Sequence, residues 1–378
     1  MTCFDFTVSL AFTDEQEELR QVVRGFLEKK SPEAEVRRLM EDDAGYDRVV
    51  WMQMAEQLGL QSIIVPEDFG GSGFGFAELV VVLEEMGRAL LCAPFFSTAV
   101  LATNALLLSG DEDAMKRYLP EIASGERIAT VGLSEDAGTF DECGIETRAT
   151  RSGGGFVLDG VKNFVIDGNV ASLILVPARL DGEISLFAVS ADSPGLVRQT
   201  LPTMDQTRKQ ARLEFHATSA ELVGGEGQGW QTVAGLLDLA AVGLAAEQVG
   251  GADRCLDMAT DYAKVRYQFG RPIGSFQAVK HKCADMLLMV ESAKSAAYYA
   301  GKAAAAGAED LPLAASLAKA YCSEAFTYTS AECIQIHGGI GFTWEHPAHL
   351  YFKRAKADEL YLGDPIHHRA VLADRLGL

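Results

Sequence analysis

The stretch Gly153 to Gly168, GGGFVLDGVKNFVIDG, decides how this chain is divided. Apolar and polar residues alternate in it around Asp159-Gly160, and an Asp-Gly pair between alternating residues predicts a β-hairpin, because both residues tolerate the left-handed backbone of a two-residue turn. The same texture continues on the C-terminal side. SLILVPARLDGEISLFAVS (172–190) repeats it around Asp181-Gly182, and ARLEFHATSAELVG (211–224) alternates again. The period of two predicts a small antiparallel, β-barrel-like domain over 129–224.

Outside that segment the period changes to that of a helix. On the N-terminal side, TDEQEELRQVVRGFLEKK places Thr13 and Gln16 as a capping box, followed by Leu19, Val22, Val23, Phe26 and Leu27 on one stripe. VVWMQMAEQLGL, FAELVVVLEEMGRALL and DAMKRYLPEIASG follow at the same period, so 1–128 reads as an α-helical domain. Within it PEDFGGSGFGF is Gly-rich but lacks GK[ST] and GxGxxG context, and is expected to be a turn packed against the middle domain. On the C-terminal side, Gly229 to Gly270 carries some ten turns with few breakers, and two more long Ala-rich segments begin near Ser275 and Pro312. Alanine permits close helix approach, so 225–378 reads as a four-helix bundle. The fold class is therefore α+β, with helices, a β domain and a bundle in that order.

At 378 residues, with 48% hydrophobic and 23% charged side chains, the composition is that of a folded globular protein. The net charge of −20 excludes a nucleic-acid partner, which needs a basic stripe to release counterions, and serves solubility instead. The seven cysteines are scattered without CxxC spacing, which supports neither a disulfide framework nor a metal site. The apolar runs read as interrupted short of a bilayer span, and MTCFDFTVSLAFTDEQ lacks the architecture of a signal peptide, so no membrane is expected and a cytoplasmic start is. His337 is expected to be packed or at an interface, and the pair His367-His368 to lie on an exposed helix face.

Three motifs in the last segment carry a family resemblance: YAKVRYQFGRPIGSFQ (Tyr262 to Gln277), IQIHGGIGFTWEHP (Ile334 to Pro347) and YFKRAKADELYLGDP (Tyr351 to Pro365). With PEDFGGSG earlier, they make the whole chain resemble the acyl-CoA dehydrogenase family. That resemblance implies FAD, an acyl-CoA substrate, electron-transfer flavoprotein as acceptor, and a carboxylate that removes the α-proton while the β-hydrogen leaves as hydride. It places the base either before the Gly of the terminal motif or on the first bundle helix. Those positions hold Leu362 and Ala240, and neither side chain accepts a proton.

The resemblance further implies that a neighbouring protomer's flavin is held at its ADP end by Arg266, Phe269, Gln277, Gln335, Gly338 and Gly339, all present here. Arginine offers a charged fork to a pyrophosphate, and glycine lets backbone N–H groups approach it. The positions that would serve the chain's own flavin have changed. The β-domain loop LSEDAGTFD keeps Ser134 but has Phe140 for a serine, Ile166 stands for the threonine near flavin N5, and Asp364 follows Gly363 where a threonine is expected. An acid there repels a pyrophosphate. Ala241 replaces a basic CoA-holding residue, although Asp238 remains.

These losses and retentions resemble a non-catalytic protomer of a heteromer, such as the α2β2 enzymes that act on steroid side-chain CoA thioesters in actinobacteria. A sister subunit would carry the glutamate, and FAD would sit at the interface between them. Two other readings stand beside it: a self-sufficient homo-oligomer using a displaced carboxylate, and a flavin-free scaffold. Glu247 is the foremost displaced carboxylate, on the same helix face as Ala240 but about 10 Å further along the axis. Glu359 and Asp364 flank the empty base position, the first expected to face elsewhere.

Overall fold

The computed structural model describes residues 11–378; the N-terminal reading and Cys3 fall on residues 1–10, outside the described residues. The elements in chain order are α1 (Asp14–Lys30), α2 (Glu33–Glu41), α3 (Arg48–Leu58), α4 (Phe76–Arg88), α5 (Thr103–Ser109) and α6 (Glu112–Ala123). Then come β1 (Ala129–Val131), β2 (Arg148–Ser152), β3 (Gly155–Ile166), β4 (Leu173–Leu180), β5 (Glu183–Ser190), β6 (Leu196–Thr200) and β7 (Gln210–Val223). The rest are α7 (Gly229–Val265), β8 (Tyr267–Gln268), β9 (Arg271–Pro272), α8 (Gln277–Ala306), α9 (Leu311–His337), α10 (Ala348–Leu360) and α11 (Pro365–Leu376).

Packing gathers these elements into two compact units that cut across chain order. The first comprises the chain up to Glu33, Phe76–Leu91 and Ala241–Leu378; the second comprises Ala34–Gly75 and Cys92–Ala240.

In the second unit, strands β4, β2, β3, β7 and β5 pair in that order, and β5 returns to β4, so the sheet closes on itself. The β2–β4 junction is a single pair, Arg148 with Arg179, so closure there is partial. Two pairings, β1 with β4 and β2 with β4, are parallel, so the sheet is mixed where alternation alone suggested a wholly antiparallel one.

Asp181-Gly182 turns β4 into β5 with both residues at positive φ, as expected. Asp159-Gly160 does not turn. The hairpin lies at Gly153-Gly154, and Asp159-Gly160 sits inside the continuous strand β3 at a bulge in its register with β7. The reason is local. Gly153 and Gly154 both adopt positive φ, whereas the Asp159 carboxylate accepts the Ala217 N–H (2.8 Å) and Gly160 passes against the Thr147 backbone with no room for a Cβ. The Gly-rich loop after η-turn Glu67–Phe69 folds back on its own chain, with the N–H groups of Gly71, Ser72, Gly73 and Phe74 bonded to Pro66, Ser62, Val65 and Ile63. Those donors are spent internally, which agrees with a turn and not a phosphate loop.

In the first unit, α8 and α9 run together with α10 and α11 against α9, and α1 and α4 join them from the N-terminal part of the chain. Thr13 and Gln16 form the expected reciprocal capping box. Helix α1 packs on α4; Val23 and Leu27 of the first and Leu79, Val80 and Leu83 of the second are buried, while Val22 is 46% exposed. Glycines set the tightest crossing, between α4 and α7. A Cβ on Gly87 would strike the Glu247 carbonyl, and one on Gly250 the Glu84 carbonyl. The α7 segment contains an 18-residue window of mean hydropathy 1.4, apolar enough for a bilayer, which the sequence reading passed over. It is 72% buried in protein, as a core helix is.

Candidate functional site

The last turn of α7 runs directly into a two-residue hairpin. The N–H of Arg266 still bonds to the Tyr262 carbonyl (2.9 Å), after which β8 and β9 pair through Phe269 and Gly270. Both turn residues have positive φ, +52° and +78°. Such a turn suits Asn-Gly or Gly-Gly, and a bulky aromatic at its first position is strained. Phe269 is nonetheless 90% exposed, its ring meeting Phe276 edge-on at 6.1 Å, while the Arg271 guanidinium lies 4.1 Å from the Phe276 ring centroid.

The remaining clamp candidates lie at the ends of helices in the same unit. Gln277 begins α8 and is exposed, its amide nitrogen 3.3 Å from the His281 ring. Gln335 is exposed in the last turn of α9, and Gly338 ends that helix at φ +63° and ψ −140°, a conformation open to glycine alone. A Cβ on Gly338 or Gly339 would meet no atom within 4 Å, so backbone here faces open space. The two halves are joined from beneath: the Tyr262 ring, one turn before Arg266, stacks at 4.4 Å on His337, the residue before Gly338. Arg266 is exposed, and among the described residues no hydrogen bond or ion pair holds its guanidinium. Free cationic fork, exposed aromatic, two amides and open glycine backbone fit the ADP half of a dinucleotide.

The base position has the opposite character. Leu362 is 2% exposed at φ +63°, and its carbonyl accepts a hydrogen bond from His368 Nε2 (3.0 Å). The next carbonyl, Gly363, accepts Lys319 Nζ (2.9 Å), which also reaches the Glu359 carbonyl (3.3 Å) and Ser323 Oγ (3.0 Å). Lys319 therefore caps the end of α10 and fastens the turn after it. Burial lowers its pKa to about 8 against the opposing pull of Asp358. His368 is buried, not on an exposed face as expected, and burial with the nearby Lys319 charge pushes its pKa down to about 3. Sequence pattern missed both roles because each depends on what α9 and α11 bring to one turn. A Lys on an Ala-rich helix was the available signal.

The flanking acids are engaged. Asp364 caps α11, its Oδ1 accepting the His367 N–H (2.8 Å), and Glu359 Oε2 accepts Thr327 Oγ1 (2.7 Å) and Lys356 Nζ (2.6 Å). Asp364 thus has a local reason to be acidic besides any effect on a phosphate. Ala240 and Ala241 are fully buried, and Glu247 is buried deeper along α7.

In the second unit, Ser134 Oγ donates to the Asn163 carbonyl (2.8 Å), and Ile166 is buried. The loop from Ser134 is fastened further by Glu135, which takes the fully buried Lys162 ammonium at 2.6 Å and the Thr147 N–H. Asp136 is held by Arg212 (2.8 Å) and Asn163. Phe140 is half-buried beyond this anchored stretch, and Asp238 is likewise half-buried on α7. Among the described residues no group of His, Cys, Asp and Glu could hold a metal ion.

Comparison with known proteins gives one consistent answer. Three family models match in order: acyl-CoA dehydrogenase N-terminal domain over 13–126, middle domain over 130–218 and C-terminal domain over 227–377. Acyl-CoA dehydrogenase IpdE2 of Mycolicibacterium smegmatis is 38% identical over 93% of this chain and 96% of its own length. Among solved structures, the ChsE4-ChsE5 complex from Mycobacterium tuberculosis has a TM-score of 0.90 at 29% identity, covering 98% of this chain and 99% of that one. The steroid ACAD Tcur3481-Tcur3483 has a TM-score of 0.87 at 31% identity, covering 96% and 98%.

Proposed function

The chain belongs to the acyl-CoA dehydrogenase family, and from that premise we propose that it is the protomer of a heteromeric enzyme that lends a flavin clamp and carries no base. The observation that carries this reading is the contrast between two sites of one unit: Arg266, Phe269, Gln277, Gln335 and the Gly338-Gly339 backbone stand open, while Leu362 is buried in a turn fastened by Lys319 and His368. FAD, when bound, supplies the hydride acceptor for α,β-dehydrogenation of an acyl-CoA thioester. This chain's part is electrostatic and positional. Arg266 neutralises pyrophosphate charge, the Gly338-Gly339 N–H groups approach it, and Phe269 offers a face to the adenine.

A second acyl-CoA dehydrogenase chain, bearing the catalytic glutamate, would complete the site. Two-chain assemblies among the similar solved structures support a heterotetramer, and the steroid ACAD among them supports a steroid side-chain thioester as substrate. Electron-transfer flavoprotein as acceptor and a cytoplasmic setting belong to the same reading. The test is flavin content with and without the Glu-bearing partner, by absorbance after gel filtration. The pair should be yellow and active, the solitary chain colourless and inert, and Arg266→Ala should strip flavin from the pair. A solitary chain that holds flavin and oxidises an acyl-CoA sinks the proposal. Unchanged flavin in the Arg266→Ala pair would instead point to a scaffold.

A further inference from the structure

One group beneath the clamp is unused by that reading. His337 closes α9, is 4% exposed, and lies between two rings, Tyr262 at 4.4 Å and His346 at 4.1 Å. Its Nδ1–H donates to the Cys333 carbonyl at 2.7 Å, which fixes the tautomer and the ring plane. His346 Nδ1 accepts the Ala348 N–H (3.2 Å), so its own proton is on Nε2. The turn Gly338–Phe342 is built on this stack: a Cβ on Gly341 would press on His337 Cβ at 2.9 Å.

Resting on the proposed function, we infer that His337 is a positioning residue for the Gly338–Gly341 turn, and that a proton on its imidazole sets how tightly the turn holds an anionic diphosphate. The charge argument has two parts. An imidazolium at the C-terminus of α9 faces the negative end of the helix dipole, and it lies directly under backbone that faces the anion. Two stacked imidazolium rings repel, so the pair takes up one proton and not two.

Tyr262 stacks on His337, and around Cys333, which bonds to His337, lie Arg254 and Cys255 from α7 and Cys283 from α8, with Tyr351 of α10 near Arg254 and Cys255. Burial opposes protonation of His337, but the Cys333 side chain and carbonyl outweigh it and raise its pKa, while the Cys333 thiol is itself lowered, to about 6, by Cys255 and His337. The His337 charge is lost as pH rises through that raised value.

The experiment uses the co-purified pair and FAD itself, with release followed by flavin fluorescence between about pH 6 and about pH 8.5. Wild type should bind FAD roughly fivefold more weakly at the upper end, the effect of one charge acting across a partly screened gap. His337→Phe should flatten this slope while keeping the stack. His337→Gln, which keeps a donor for the Cys333 carbonyl, should flatten it too, and His346→Phe should retain it. A slope in both His337 variants equal to wild type overturns the inference while leaving the clamp reading intact. If Arg266→Ala leaves FAD affinity unchanged, the clamp reading falls and this inference with it.

Discussion

At the scale of single residues, the turn at Leu362 is held by its neighbours and not by its own side chain. Lys319 and His368 take the carbonyls of Gly363 and Leu362, so the turn keeps its form whatever stands at 362. Leu362→Glu should destabilise the chain by about 1–3 kcal/mol at pH 8, because a carboxylate would be buried there. Burial raises the folded-state pKa of that new acid above its unfolded value. The loss should therefore shrink as the pH falls toward about 5, and chemical denaturation at the two pH values checks it. The solitary variant should remain inert, since Ile166 and the spent Ser134 hydroxyl are unchanged.

Lys319→Met should cost about 2–4 kcal/mol near neutral pH by orphaning buried carbonyls. With a folded pKa near 8 against 10.5, Lys319 is less protonated in the folded state within that window. Wild-type stability should then gain on the Met variant as pH rises from 8 toward 10, at a slope of at most about 1.4 kcal/mol per pH unit. A constant difference across that range would refute the assignment. That Leu362 stands at the motif's base position is read from sequence, because residue type at a motif position is a matter of the chain alone. The buried roles of Lys319 and His368 are not, because nothing in the spacing of 319, 362 and 368 says that three elements meet.

At the scale of elements, the helices follow from period and caps, although Val22 of the expected α1 stripe is exposed, and the strand errors are two parallel pairings and a hairpin assigned to the wrong glycine. Asp159-Gly160 and Gly153-Gly154 are both adequate turn signals separated by four residues, and the choice between them is made by pairing β3 with β7 along its whole length. Glycine at the α4–α7 crossing is different, since it serves contact and not conformation. Gly250→Ala should lower stability by about 2 kcal/mol or more, because the Cβ meets backbone that cannot yield. Gly25→Ala, on α1 with nothing within 4 Å of the added Cβ, should raise it by about 0.5–1 kcal/mol through helix propensity. Thermal unfolding of the two variants side by side tests both signs.

At the scale of the whole molecule, the two packing units interleave chain segments that sequence order keeps apart. The three-segment reading follows texture, which is set by local period. The packing units follow contacts between α1, α4 and the bundle, which no local period encodes. Arg266, Phe269, Gln277, Gln335, Gly338 and Gly339 all lie within one unit, and under the heteromer proposal the base comes from another chain. Flavin analysis of the assembled pair should accordingly give one FAD for each pair of unlike chains. A value of one per chain would mean that the Leu362 half-site also binds.

By itself the sequence determined the succession of helices, barrel and bundle, the absence of a carboxylate at Leu362 and Ala240, and the presence of the clamp residues, because each is a matter of residue type at a position along the chain. Tertiary structure decided the rest: the left-handed turn that holds Phe269 in solvent, the open backbone at Gly338-Gly339, and the turn fastened by Lys319 and His368. Exposure and burial are relations between segments distant in sequence. Only packing fixes which of the two turns is left exposed and which is buried.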